Sequence, residues 1–146
     1  MLERFSERAK RVMLLADQAA IRCNSEKIGT EHLLCGLLKD GAGVGSNILH
    51  ELGIDLAAVR QKLDQHLPSA PGGPEPGRIA QSEHVKRVIE NAIDEARHLN
   101  HHMVGTEHLL LGMLRDTGGV ACGVLSDFGL ELEIVREKVR ILLDES

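Results

Sequence analysis

The chain has no tryptophan, no tyrosine and only two phenylalanines among its 146 residues. Whatever core it forms must therefore be aliphatic. It also lacks any apolar run near the roughly 20 residues that a membrane span requires. The start, MLERFSERAKR, mixes charges of both signs and has no apolar block of the kind that marks a signal peptide. Basic excess is missing too: the net charge is −5 and the pI near 5.9, which argues against a nucleic-acid partner. Cysteine is sparse. The three thiols, Cys23, Cys35 and Cys122, are an odd number at unrelated spacings, which suits reduced cysteines in a cytosol rather than a disulfide framework. No nucleophile elbow, Walker loop or glycine-rich dinucleotide turn appears. The expectation is a soluble cytoplasmic protein that is not an enzyme and binds neither membrane nor nucleic acid.

What is present is a repeat. IGTEHLLCGLL runs from Ile28 to Leu38 and VGTEHLLLGML from Val104 to Leu114. A shift of about 76 residues lays Ser6–Leu67 on Ser82–Leu143 without a gap, and about 26 of the 62 positions agree. Cys35 and Cys122 face Leu111 and Ser46 in this alignment, so neither belongs to a repeated site. Between the copies lies PSAPGGPEPG, Pro68 to Gly77, with all four prolines of the chain. That composition cannot be helical and reads as an exposed linker. The organisation is a single domain over 1–146, with repeat one at 1–67, the linker at 68–77 and repeat two at 78–146. A chain of this length buries roughly 70% of its unfolded surface, enough for independent stability.

Each repeat reads as four helices. The first spans about Ser6 to Cys23, with Ala9, Val12, Met13, Ala16 and Ala20 on one face. Its counterpart carries Val85, Val88, Ile89, Ala92, Ala96 and Leu99. Ser6 and Ser82 stand at N-cap positions. The second helix opens at Thr30 or Thr106, another capping type, and is apolar nearly all round, so it should be buried. The third runs from Val44 to Leu52 and stops at Gly53, a usual C′ residue. The fourth starts near Asp55 and buries Leu56, Val59, Leu63 and Leu67. No segment alternates as a strand does. The predicted class is all-α, two pseudo-twofold-related four-helix repeats with about eight helices and no strands.

Chemistry is scarce. His98, His101, His102 and His108 crowd one region, but no cysteine or carboxylate stands at a strong zinc-ligand spacing; no metal or cofactor is expected. Thr30, Glu31 and His32 cannot form an acid–base pair, because neighbours on a helix point about 100° apart. Glu31 and Glu107 are more suggestive. A carboxylate at a helix start, beside a second helix start at Ser6 or Ser82, sits among unpaired N–H donors. Such a place can hold a phosphate on the N–H groups while the carboxylate holds an attached cation.

The opening MLERFSERAKRVMLLADQAA, the doubled GTEHLL, the G.L after each and the V…VL..GL third helices resemble the N-terminal domain of the Clp AAA+ unfoldases, the ClpC branch most. The resemblance covers nearly the whole chain. It implies a double four-helix-bundle domain, the Clp N type, that sits on an AAA+ ATPase ring and receives adaptor proteins and substrate proteins for unfolding and degradation. In that branch each repeat is also a docking pocket for phosphoarginine. By resemblance, Glu31 and Glu107 would take the guanidinium, while Thr30 and Thr106, with Ser6 and Ser82, would take the phosphate.

Some positions depart from the family pattern. Gln81 precedes Ser82 where an apolar or aromatic residue is usual, and Glu83 and His84 follow where proline and arginine are usual. Ala42 and Gly118 stand where a glutamate between glycines is typical. Grouping each serine with the Thr-Glu of its own repeat makes the Glu107 pocket the weaker one. The chain carries no motor, so it is read either as a docking module of a Clp-type unfoldase or as a stand-alone relative that competes with a full-length unfoldase for adaptor or substrate.

Overall fold

The computed structural model describes residues 2–68 and 79–144. Pro68 is exposed, and the rest of the expected linker lies outside the described residues. Among these residues eight α-helices follow one another: α1 (Glu7–Arg22), α2 (Thr30–Asp40), α3 (Val44–Glu51), α4 (Leu56–Asp64), α5 (Glu83–His98), α6 (Thr106–Arg115), α7 (Val120–Asp127) and α8 (Leu132–Asp144). The all-α class and the four-plus-four order are as the periodicity predicts. No single helix among the described residues is long and apolar enough to cross a membrane.

Helix ends explain many of the repeated residues. The Ser6 hydroxyl accepts from Ala9 N–H and the Ser82 hydroxyl from Val85 N–H, both at 3.1 Å. These are ordinary side-chain N-caps. At the far ends of α1 and α5, Asn24 and Asn100 adopt left-handed φ values of 50° and 60°. Gly53 and Gly129 do the same after α3 and α7. In the first of these turns Gly53 N–H donates to His50 O and Ile54 N–H to Leu49 O, a Schellman closure.

Two expectations need correction. Thr30 and Thr106 are not N-caps: Gly29 and Gly105 hold that position and the threonines are the first helical residues. Strands are also present, as two parallel two-residue segments, β1 (Lys27–Ile28) and β2 (Ala80–Gln81). Phe5 makes a similar single bridge to Val104. Two residues are too few for any alternation to register in sequence.

Packing crosses between the repeats. α1 lies on α2 and α5 on α6, but α3 packs chiefly against α6, while α7 rests on both α2 and α6. The cross-contacts are reciprocal. Ser6 N–H donates to Val104 O, and Ser82 N–H to Ile28 O, both at 2.9 Å. Lys62 meets Asp127 at 3.6 Å, and Lys138 meets Glu51 at 3.7 Å. Exchanging partners in this way is what a twofold relation imposes. Among the described residues the buried core is aliphatic apart from Met113 and Phe5, which is 1% exposed, with Phe128 packed against it.

The α1–α2 and α5–α6 crossings need glycine. A Cβ on Gly36 would stand 2.6 Å from Val12 O, and one on Gly112 would stand 2.4 Å from Val88 O. In an exposed helix interior, Gly→Ala gains up to about 1 kcal/mol. Here the overlap is with backbone, which cannot rotate away. Gly36→Ala and Gly112→Ala should each destabilise by about 1–3 kcal/mol, the range for overpacked cores. Urea unfolding followed by circular dichroism checks this, and a gain in stability would contradict it.

Candidate binding cleft between the repeats

Each residue of Gly-Thr-Glu-His has a separate task. Gly29 caps α2 without a side chain, and a Cβ there would lie 2.1 Å from Glu31 Oε1; Gly105 and Glu107 show the same 2.1 Å. Both carboxylates therefore fold back over the start of their own helix. The histidine closes the turn from the other side. Gly29 N–H donates to His32 Nδ1 at 2.8 Å, and Gly105 N–H donates to His108 Nδ1 at 2.9 Å. An accepting Nδ1 requires the proton on Nε2, so both rings are held neutral.

The threonines reach across the molecule. Thr30 Oγ1 accepts from Ala121 N–H at 3.1 Å, in the first turn of α7, and Thr106 Oγ1 accepts from Gly45 N–H at 2.9 Å, in the first turn of α3. Both threonines are 2% exposed. The N-caps of α3 and α7 are Gly43 and Gly119, which have no side chain to offer. Each threonine thus supplies a cap in trans.

This crossing assembles the cleft. Ser82 N–H on Ile28 O sets the start of α5 beside the start of α2, and Thr30 holds the start of α7 there as well. Three helix N-termini converge, each with unpaired N–H groups and a partial positive charge. The cleft measures about 520 Å³, with Gly29, Thr30, Glu31, Ser82, His84 and Gly118 among its lining residues. Glu31 is half-buried.

Sequence reasoning grouped Glu31 and Thr30 with Ser6. The structure sets them against Ser82, so Gln81, Glu83 and His84 belong to the neighbourhood of Glu31. Ser6 instead donates its N–H to Val104 O, next to Gly105, Thr106 and Glu107. The linker returns the chain to the opposite half, and a local reading cannot see that.

The second grouping is tighter. Glu107 is 6% exposed, and burial raises its pKa above the ordinary carboxylate value, opposed by its own backbone N–H and by His101. His108 Nε2 lies 2.9 Å from His101 Nδ1. Because His108 keeps its proton on Nε2, that nitrogen donates. Among the described residues no group of three or more His, Cys, Asp or Glu side chains could hold a metal ion.

A repeated pair of aspartates with buried side chains escaped the sequence reading. Asp116 is 6% exposed and takes His84 Nδ1 at 2.8 Å and Arg87 Nε at 3.5 Å. Its counterpart Asp40 takes Arg8 and Arg11, both at 3.2 Å. These pairs fix basic side chains of the first two turns of α5 and α1. The signal was available, since Arg11/Arg87 and Asp40/Asp116 are identities of the repeat.

The Clp repeat (R) N-terminal domain family matches residues 4–92 and again 80–146. The chain is 39% identical over 143 residues to the negative regulator of genetic competence ClpC/MecB of Bacillus subtilis, covering 98% of this chain and 17% of that protein. In fold it resembles the N-terminal domain of the caseinolytic-protease-associated chaperone ClpD from Arabidopsis thaliana, with a TM-score of 0.74 at 23% identity and full coverage of both chains. It also resembles the ClpV N-domain in its complex with a VipB peptide, with a TM-score of 0.78 at 15% identity, covering 99% of this chain and 90% of that one.

The capping histidines make stability pH-dependent. Burial lowers the pKa of His32, and takes that of His108 from 6.5 to about 4, with the neighbouring His101 adding to the shift. Above pH 6.5 the neutral His108 contribution is fully present. As pH falls from about 6.5 to 4, the unfolded chain takes up a proton that the folded chain refuses, and stability drops by on the order of 3 kcal/mol. The raised pKa of Glu107 acts in the opposite sense at the lower end of this window. Asparagine can accept from Gly105 N–H without titrating. Denaturant melts of His108→Asn should show a shallower loss between pH 6.5 and 4 than the wild type; parallel curves would contradict the assignment.

Proposed function

The chain belongs to the Clp repeat (R) N-terminal domain family, and we propose that it is the docking module of a Clp-type unfoldase or protease system. It receives adaptor and substrate proteins, among them proteins marked with phosphoarginine. The chain spans 17% of the length of the Bacillus subtilis relative, so an ATPase ring acting on what it captures belongs to the proposal too. The three free thiols support a reducing, cytoplasmic setting. The ClpV N-domain bound to a VipB peptide supports a docking role for this fold.

One observation carries the phosphoarginine reading: three helix N-termini meet around the carboxylate of Glu31. Phosphoarginine joins a dianionic phosphoryl group directly to a guanidinium. Its receptor must set an anion cradle against a carboxylate, and this cleft combines both. Glu31 takes the guanidinium. Ser82, His84 and the N–H groups opening α2, α5 and α7 face the phosphate. Thr30 shares in this, because a hydroxyl that accepts one bond still has a proton to donate. In the other grouping Glu107 takes the guanidinium, with Thr106 and Ser6 toward the phosphate. That site is the weaker of the two because its carboxylate is buried, rather than because of Gln81 and Glu83.

Calorimetry of the purified chain with free phosphoarginine tests this. Losing a hydrogen bond to a charged group costs about 1.5–3 kcal/mol, or roughly ten- to more than a hundredfold in affinity. Glu31→Ala should lose that much at the stronger site and Glu107→Ala at the weaker, both with unchanged circular dichroism. Unmodified arginine should bind poorly, since it leaves the cradle empty. No heat of binding with millimolar phosphoarginine would end the proposal.

A further inference from the structure

The repeat contains its own control experiment at the far end of α2 from Glu31. In repeat two, Glu95 on α5 points into the core and is 3% exposed. Arg136 grips it with both arms, Nε to Oε1 at 2.8 Å and Nη2 to Oε2 at 3.2 Å. Arg115 adds Nη1 to Oε2 at 3.4 Å. A carboxylate can be buried when its charge is paired and its oxygens are bonded in this way.

Repeat one keeps the cations and lacks the carboxylate. Arg60 stands for Arg136 and Lys39 for Arg115, but Ala19 stands for Glu95. Leu99 and Leu111 are likewise replaced by the smaller Cys23 and Cys35. A cavity of about 230 Å³ opens where these side chains have shrunk, floored by Ala19, Cys23, Cys35, Leu38 and Leu63. Among the described residues, Arg22, Lys39 and Arg60 stand at its rim with one carboxylate, Asp64. Among the described residues none of the three cations forms an ion pair, and Arg60 reaches only Leu38 O, at 3.4 Å. Arg22 and Lys39 also complement the negative ends of α1 and α2, yet a helix dipole requires neither the cavity nor Arg60.

We propose that this cavity is a binding site for a glutamate side chain of a partner protein, which enters where Glu95 sits in repeat two and pairs with Arg60 and Lys39. The apolar floor takes the methylene stem and the rim takes the charge. The site is separate from the Glu31 cleft, and its ligand has the opposite charge requirement to a guanidinium. Docking through it needs no phosphoarginine.

The test is a ¹H–¹⁵N titration of the intact chain with the blocked peptide acetyl-Ala-Glu-Ala-amide, and with its Gln analogue as control. The Glu peptide should shift the amides of Ala19, Leu38, Lys39 and Arg60 saturably at millimolar concentration, and the Gln peptide should not. Arg60→Gln should weaken binding at least tenfold, the cost of a lost charged hydrogen bond. Ala19→Glu should fill the cavity from within, raise the melting temperature and abolish the shifts. If Ala19→Glu fails to fold, Arg60→Gln decides alone. Equal shifts from both peptides, wild-type affinity in Arg60→Gln, or no shifts at all would overturn the proposal.

Discussion

Two threonine hydroxyls each hold the first turn of a helix that belongs to the other repeat, and much of the architecture depends on that exchange. α3 and α7 begin at glycines, so their opening N–H groups have no local side-chain cap. A lost cap costs typically about 1 kcal/mol, and a buried donor left unbonded costs more. Thr106 and Thr30 meet this need from across the twofold relation. Gly43 follows from Thr106, since a Cβ there would stand 2.5 Å from Thr106 Oγ1; at Gly119 a Cβ would stand 2.4 Å from Asp116 Oδ2 and 3.2 Å from Thr30 Oγ1. Neither repeat can complete its third helix alone. The same exchange gathers three helix starts at Glu31, so the cleft is a product of the interlock and not of either repeat.

Once symmetry accounts for the scaffold, positions where the copies differ become informative. Arg8 faces His84 across the alignment, and both grip a buried aspartate. Ser25, which donates to Lys27 O, faces His101, which meets His108. Ala19 faces Glu95. These changes alter charge, burial or volume at a side chain. The two Gly-Thr-Glu-His phrases consequently present different carboxylates, one half-buried and one nearly closed off.

Helices, their order and the serine caps were legible because a period near 3.6 and capping chemistry are local signals. The roles of Asn24 and Asn100 were within reach for the same reason. The partner of each threonine was not. A threonine before an apolar run reads as a cap for its own helix, and nothing local says that it caps another one far along the chain. Grouping Ser6 with Glu31 failed on the same ground, because sequence distance stood in for spatial distance. The two-residue strands were too short to register. Glu95 shows a subtler limit: it lies on the otherwise apolar face of α5, and only Arg136, 41 residues on, makes its burial possible.

The exchange of caps is best tested one amide at a time by hydrogen exchange. Thr106→Val removes the hydroxyl at nearly constant volume. The amide of Gly45, in the first turn of α3, should then exchange about fivefold faster or more, and Thr30→Val should do the same at Ala121. Faster exchange confined to the first turn of α6, with Gly45 unchanged, would contradict a cap supplied in trans.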